Sequence, residues 1–423
     1  MHRLLIGNDR NLKRRAYIWN IVGSLIAALT SVFLLFAVSR ISGATQAGIF
    51  TLAFSTAQMM LTIGLYEMRP YQATDVEEIY PFSDYLISRA VTCTLMIAAS
   101  AVFVFAGGYT QEKGMVILLI CVFKMFDALE DVFHGLYQQR GRLDVAGKSL
   151  ALRMGTSMAA FIVTLYLTND LIFTCWVSIA AAAVGFALFN LTIFRSFYQG
   201  KFHFRGKALR KLLWACLPLF LSSFMLIFVN NAPKYAIDAY IPSEAFQAYY
   251  GYIFMPAFVI NLFGTFLFKP MVTPMADQWV LGNKKELLRM ILKLAGAIVV
   301  LTVVLEAACY FIGIPLLSWF YAADLSAYRA ELMVLVLGGG FNALVSLMFY
   351  SITVIRKQRY VVIGYGAALI FALAASNLLV PHAGLMGASL AYLLSMAVLV
   401  VIFACIFGVC FKKGQYTPAE ESK

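Results

Sequence analysis

Charge is scarce in this chain. Only 13% of its 423 residues are Asp, Glu, Lys or Arg, whereas 62% are hydrophobic; soluble domains carry about a quarter charged residues. With a mean hydropathy of +0.81, the chain is read as a polytopic membrane protein. Motifs for covalent chemistry are missing as well. There is no Walker loop GxxxxGK[ST], no HExxH and no GxSxG, so ATP drive and hydrolase chemistry lack support and no enzyme is expected. Long polar loops that would house a glycosyltransferase site are absent. Strand-like alternation is absent too, since the apolar runs are about twice the ~10 residues of a barrel strand. The four histidines do not pair with the seven cysteines at metal-ligand spacing, and all seven cysteines fall in apolar runs, which suggests neither a zinc site nor disulfides. No small-residue cleavage site closes the first apolar run, 16–38, so it is expected to remain as a first span.

What remains is a series of apolar runs near the ~20 residues a span needs. Twelve are expected, at 16–38, 46–66, 86–108, 114–137, 149–168, 171–194, 212–239, 247–268, 288–309, 331–354, 360–380 and 386–410. The net charge of +12 is better explained by topology than by nucleic acid. With the N-terminus placed in the cytoplasm, only Arg40, Lys113 and Arg329 fall outside, and only Lys124 and Lys234 within spans. The other lysines and arginines lie on inner loops or inner helix ends, which places both termini inside. The longest basic connection, RSFYQGKFHFRGKALRK, divides the spans six and six. The expected organisation is an N-terminal lobe 1–200, a basic cytoplasmic linker 201–211, a C-terminal lobe 212–410 and a cytoplasmic tail 411–423. Setting residue i against i+200 aligns Phe54 with Phe254, Ala57 with Ala257, Gly64 with Gly264, Arg69 with Lys269 and Pro70 with Pro270. That register reads either as a parallel repeat of six-helix lobes, a common transporter plan, or as chance likeness between apolar helices.

The fourth span carries the most charge. Residues 115–137 hold Lys124, Asp127, Glu130 and Asp131, whose cost at mid-bilayer, roughly 10 to 14 kcal/mol, exceeds the roughly 4 to 7 kcal/mol supplied by the aliphatic and Phe residues. This helix is expected to face protein or water, with its neighbours enclosing a polar cavity. Lys124, Asp127 and Asp131 share a stripe that Gln138 continues, while Glu130 sits to one side. The stripe reads either as mutually neutralising ion pairs or as a surface for a polar headgroup or coupling ion. His134, beside the inner interface, is read as ordinary.

In the seventh span, VNNAPKYAIDAYIP places Asn230, Lys234 and Asp238 on one face, with Asn231 adjacent and Pro233 interrupting the backbone ladder. Lys234 either pairs with Asp238 or snorkels, or its compact charge receives an anion such as a phosphate. Arg89 and Arg153, about one turn inside the inner ends of their spans, either snorkel to lipid phosphates or line an anion-attracting mouth. Glu306, the acid of the ninth span, is a satisfied buried group or a coupling-ion ligand. Tyr249, Tyr250 and Tyr252 fit an aromatic belt, with sugar stacking as the other option.

The basic lead-in RNLKRRAYIWNIVGS, the turn ISGATQAGIFTLAFS, NNAPKYAID in the seventh span and the Gly-rich VPHAGLMGASLAY before the last helix together resemble the polysaccharide repeat-unit flippases. These are the oligosaccharide branch of the multidrug/oligosaccharidyl-lipid/polysaccharide exporter superfamily, and the resemblance covers nearly the whole length. It implies two six-helix bundles forming a V that opens alternately to either side of a bacterial cytoplasmic membrane. The implied substrate is a polyprenyl-pyrophosphate-linked oligosaccharide, with membrane lipids, a polysaccharide polymerase and glycosyltransferases as expected partners. Lys234, Asn230 and Asn231 match the family's basic position and its neighbours; Lys124, Arg89 and Arg153 are added as cavity residues. Asp127, Glu130, Asp131, Asp238 and Glu306 are the candidates for ion coupling. No cofactor is implied beyond a coupling ion, Na+ or H+. The alternative within the superfamily is a cation-coupled multidrug antiporter.

Overall fold

The computed structural model describes residues 5–6, 11–75, 79–200, 205–268 and 271–413, and the described residues form helices without a strand. Arg3, Arg10, Lys201, Lys269, Pro270, Lys423, linker residues 201–204 and tail residues 414–423 lie outside them. The chain begins with α1 (Leu12–Leu65), α2 (Met68–Thr74), α3 (Phe82–Gly107), α4 (Gln111–Gln139) and α5 (Leu143–Thr168). Next come α6 (Leu171–Phe186), prolonged by a wide turn at Ala187–Leu191, and α7 (Gly206–Tyr240). The second half holds α8 (Glu244–Ile253), α9 (Met255–Phe268), α10 (Val272–Val280), α11 (Lys284–Ala308), α12 (Ile314–Tyr321), α13 (Arg329–Val354) and α14 (Arg359–Lys413).

Two glycines set the topology at the ends. A straight α1 of 54 residues would extend about 80 Å, far beyond the ~30 Å hydrocarbon core. Gly43 breaks it with φ 84 and ψ 178, a region open essentially only to glycine, so the first two expected spans are its two halves. Gly384, with φ 54 and ψ −129, divides α14 in the same way three residues after Pro381. Helices α6 and α11 start on a polar side chain: Asp170 accepts the Phe173 amide at 2.9 Å ahead of α6, and Asn283 accepts that of Glu286 ahead of α11.

Among the described residues eight stretches are long and apolar enough to cross a membrane, including Leu12–Thr74 and Arg359–Lys412, each with two crossings. Two expected spans are missing from the eight. The charges of α4 exclude it, and the span 247–268 is broken at Phe254, ahead of Pro256, into α8 and α9; a proline removes a ladder hydrogen bond and disfavours helix in the residue before it. Counting both gives the twelve crossings. The protein is a multi-pass, all-helical membrane protein.

The chain forms two compact units, Met1–Phe224 and Met225–Lys423. The division falls inside α7 rather than in the linker. Leu212 and Cys216, in the first turns of α7, are buried with Tyr85, Tyr137, Phe189 and Ile193, and Phe220 stacks on Tyr66 at 4.5 Å. Within the first unit α1 packs on α3, α4 and α5, and α6 on α4 and α5. In the second, α13 packs on α9, α11 and α14. The i+200 register has a structural counterpart. A methyl group at Gly64 would lie 3.0 Å from Ala128 Cβ on α4, and one at Gly264 3.4 Å from Ala343 Cβ on α13. The second and fourth crossings of one lobe therefore meet as the second and fourth of the other do.

Candidate functional site

In the N-terminal unit the charges of α4 are satisfied by neighbouring helices. Arg153 of α5, fully buried, donates from Nη2 to Asp127 Oδ1 at 2.6 Å and from Nε to Glu130 Oε2. Lys124 Nζ donates to Asp127 Oδ2 at 2.8 Å and lies 4.8 Å over the ring of Phe54. Glu130 also accepts Ser149 Oγ at 2.7 Å and Asn190 Nδ2 at 3.0 Å, with His134 Nε2 3.2 Å away. Lower on the stripe, Asp131 accepts Arg89 Nη2 at 2.7 Å and Arg69 Nη1 at 3.4 Å, and Arg69 Nε reaches Gln138 at 3.3 Å. Arg89 Nη1 and Thr92 Oγ1 both donate to the Gly64 carbonyl.

This arrangement follows from the cost of buried charge. Each ion taken out of water costs several kcal/mol unless a close partner and hydrogen bonds replace its hydration. Arg89 and Arg153 therefore neither snorkel nor stand open at a mouth; both are fully enclosed and bound to α4 carboxylates. Glu130, off the stripe in sequence, is the most buried acid of the helix because it faces α5 and Asn190. His134 belongs to the same cluster, in contrast to the ordinary interfacial role expected of it. Asp127 and Asp131 keep side-chain exposures of 13% and 15%, while Lys124, Arg89 and Arg153 are at 4% or below. The open edge of the network is thus these two carboxylates together with Arg69, which is 30% exposed. Arg153 Nη1, Arg89 Nε and Asn190 Oδ1 find no hydrogen-bond partner among the described residues.

The C-terminal unit holds the second group. Lys234 Nζ of α7 lies 5.1 Å over the ring of Phe254, at the break between α8 and α9. Phe254 packs edge-on against Tyr392 of α14 at 5.0 Å and stacks with Tyr250 at 6.0 Å. Asn342 of α13 donates to Asn230 Oδ1 at 3.1 Å and to Tyr392 Oη at 3.2 Å. Asn230 and Asn231 themselves donate to the carbonyls of Leu226 and Ile227, the backbone groups one turn earlier. Asp238 stands one turn beyond Lys234 on α7. Glu306, half-buried on α11, has the Leu337 main chain of α13 as its hydrogen-bonding neighbour. Tyr250 and Tyr252 are core residues rather than a belt; both are fully buried, and Tyr252 stacks on Tyr321 at 4.1 Å. The sequence reading missed Asn342, Tyr392, Asn190 and the ring partners Phe54 and Phe254. Asn342 was visible as the lone amide in the apolar run LGGGFNALVS.

No model of a protein family matches the chain. Among solved structures, an inward-facing multidrug resistance MATE family transporter of the MOP superfamily superposes with TM-score 0.69 at 13% identity, covering 93% of this chain and 98% of that one. The chain has the fold of the MOP-superfamily transporters. A MOP superfamily transporter from Pyrococcus furiosus shares that fold with TM-score 0.61 at 15% identity, over 97% and 98% of the two chains. Its structure is described by the reverse polarity of its binding pocket. Among curated proteins, the capsular polysaccharide biosynthesis protein CapF of Staphylococcus aureus is 22% identical over 397 residues, 90% of this chain and 96% of CapF. Within this MOP fold, both charged groups lie inside a lobe, each carried by helices of one compact unit.

Proposed function

We propose that this MOP-fold protein is a flippase that carries polyprenyl-pyrophosphate-linked oligosaccharide repeat units from the inner to the outer leaflet for surface polysaccharide synthesis. The observation that carries this reading is the C-terminal group: a lysine ammonium in the last two turns of the apolar helix α7, seated on the ring of Phe254, which packs on Tyr392, whose hydroxyl Asn342 joins to Asn230. A compact cation suits a phosphoryl oxygen, and amides with phenols suit sugar hydroxyls. The full-length likeness to CapF supports the same substrate class. Alternating access of the two lobes, coupled to Na+ or H+ or to downstream polymerisation, completes the reading. It places the protein in a bacterial cytoplasmic membrane with both termini inside, beside polymerase and glycosyltransferases.

The test is reconstitution with labelled polyprenyl-pyrophosphate oligosaccharide and an external sugar-cleaving enzyme. Wild-type protein is expected to give the enzyme access faster than empty liposomes do, and Lys234→Ala, folded and inserted, to abolish the gain. A wild-type rate equal to that of empty liposomes rejects the proposal.

One observation favours a second reading, cation-coupled multidrug antiport. The acids of the α4 stripe, Asp127 and Asp131, are partly exposed beside Arg69, and such carboxylates suit a coupling cation or an organic cation. Dye efflux driven by a proton or sodium gradient and lost in Asp127→Asn would establish it.

A further inference from the structure

Helix α11 presents two unlike faces. Leu287, Ile291, Leu294 and Ile298 are buried against the protein. On the opposite side Lys285, Leu288, Arg289, Leu292 and Lys293 line an open groove of about 470 Å³, their positions falling on one stripe at i, i+3, i+4, i+7 and i+8. The adjacent Lys284 is engaged differently. Its Nζ donates to the Phe411 carbonyl at 3.2 Å and lies over the rings of Trp279 and Phe411, so that charge fastens α11 to α10 and α14. Lys285, Arg289 and Lys293 are exposed. Glu286, the acid of the first turn, takes Arg289 at 2.6 Å, and the stripe keeps a positive excess. The amide end of the helix adds to it.

The groove continues into an aliphatic wall. Leu292 is 62% exposed, and Val299, Val300, Val303 and Val304 are 52–63% exposed further along the helix. One surface thus offers cations at its head and bare hydrocarbon below, the pattern of an anionic amphiphile rather than of a soluble anion. The spacing says more. Lys285 and Lys293 are separated by about 12 Å along the axis, with Arg289 midway, each step a little over one turn of roughly 5.4 Å. Charge-assisted hydrogen bonds need contact near 2.8 Å. A single phosphate bridges one neighbouring pair of these bases, and two phosphates engage all three.

We propose that this groove is a binding site for a membrane phospholipid that carries two phosphates, its headgroup between Lys285, Arg289 and Lys293 and its chains along the valine wall. The site lies wholly on the C-terminal unit and does not depend on what the protein transports.

The test uses the full chain in zwitterionic nanodiscs doped with either a diphosphate phospholipid such as cardiolipin or a monophosphate one such as phosphatidylglycerol, matched for total charge, with bound lipid counted by native mass spectrometry. Wild type is expected to retain the diphosphate lipid preferentially. Lys285→Gln, Arg289→Gln and Lys293→Gln together are expected to remove that preference, with a loss of roughly fivefold per base. A control lacking the exposed bases Arg195, Lys207 and Arg210 is expected to keep it. Lys293→Gln alone, a single exposed change, reads the effect should the triple variant express poorly. Equal retention of the two lipids by wild type, or equal losses in the groove and control variants, overturns the proposal and reduces the stripe to a general interfacial anchor.

Discussion

Phe54 and Phe254, 200 positions apart in the chain, each carry a lysine ammonium over the ring, Lys124 at 4.8 Å and Lys234 at 5.1 Å. These are the two lysines that fall within spans, and the two phenylalanines are matched by the i+200 register. The lysines themselves are not equivalent, since one comes from the fourth crossing of its lobe and the other from the first of its own. Two lobes have arrived at the same solution for holding a cation in an apolar setting, and the shared element is the ring.

If the ring face stabilises the ammonium, weakening the ring's negative face without altering its shape should be felt. Replacing Phe254 by mono-, di- and trifluorinated phenylalanine is expected to lower the rate of lipid-linked oligosaccharide access stepwise. The full series is worth about 0.5 to 2 kcal/mol. The same series at Phe54 reads the ring beneath a lysine that Asp127 also holds. A flat series at Phe254 would leave the ring with packing alone.

The buried network of α4 makes a stability prediction. Arg153→Met removes the guanidinium partner of Glu130 and one of the two cations on Asp127, leaving uncompensated charge at a cost of about 3 to 5 kcal/mol. Thermal unfolding in detergent should show a large drop in Tm. Adding Glu130→Gln should recover part of it, because the amide still accepts from Ser149 and no longer carries a charge. A double variant no more stable than Arg153→Met would show that packing of the Arg153 stem, and not charge, is what the network supplies.

Much of this was legible in the sequence for a physical reason: hydrocarbon thickness fixes span length, so twelve crossings follow from twelve apolar runs. The turns at Gly43 and Gly384 lie in two of the stretches that carried the family resemblance. The break at Phe254 was signalled by Pro256 but obscured by the apolar run around it. Pairing was not legible. Arg89 and Arg153 look alike in sequence, each about one turn inside the inner end of its expected span, and only tertiary packing decides that Asp131 takes the first while Asp127 and Glu130 take the second. The short helix α2, which brings Arg69 to Asp131, follows a turn at Tyr66 and Glu67, both in left-handed conformations, that no periodicity announces. A basic connection marks topology, whereas compactness depends on where side chains such as Leu212 and Cys216 are buried.

Gly43 isolates a backbone effect. A methyl group there would meet nothing within 4 Å, yet φ is 84. Gly43→Ala is therefore expected to cost about 1 to 3 kcal/mol from conformation alone, measured as a fall in Tm. Gly155→Ala, also in open space but inside helix α5, should be neutral or stabilising. Equal effects at the two positions would mean that the chain does not need the left-handed turn between its first two crossings.

Asn342 links α13 to both α7 and α14 through its one amide nitrogen, donating to Asn230 and Tyr392. Removing it leaves the buried Tyr392 hydroxyl and the half-buried Asn230 carbonyl to find other donors, a loss of about 1 to 3 kcal/mol. Groups that act through one shared partner are non-additive. Asn342→Ala and Tyr392→Phe should each destabilise the protein, and the double variant should be little worse than Asn342→Ala. The same cycle read by oligosaccharide access tests more than packing. If the amide and the phenol serve the substrate, Asn342→Asp, which keeps size and an acceptor but adds a negative charge beside the Lys234 group, should depress access far more than its change in Tm accounts for. If access falls only in proportion to stability across all four variants, the Asn342–Tyr392 pair is a strut between helices, and sugar recognition has to be sought on other residues.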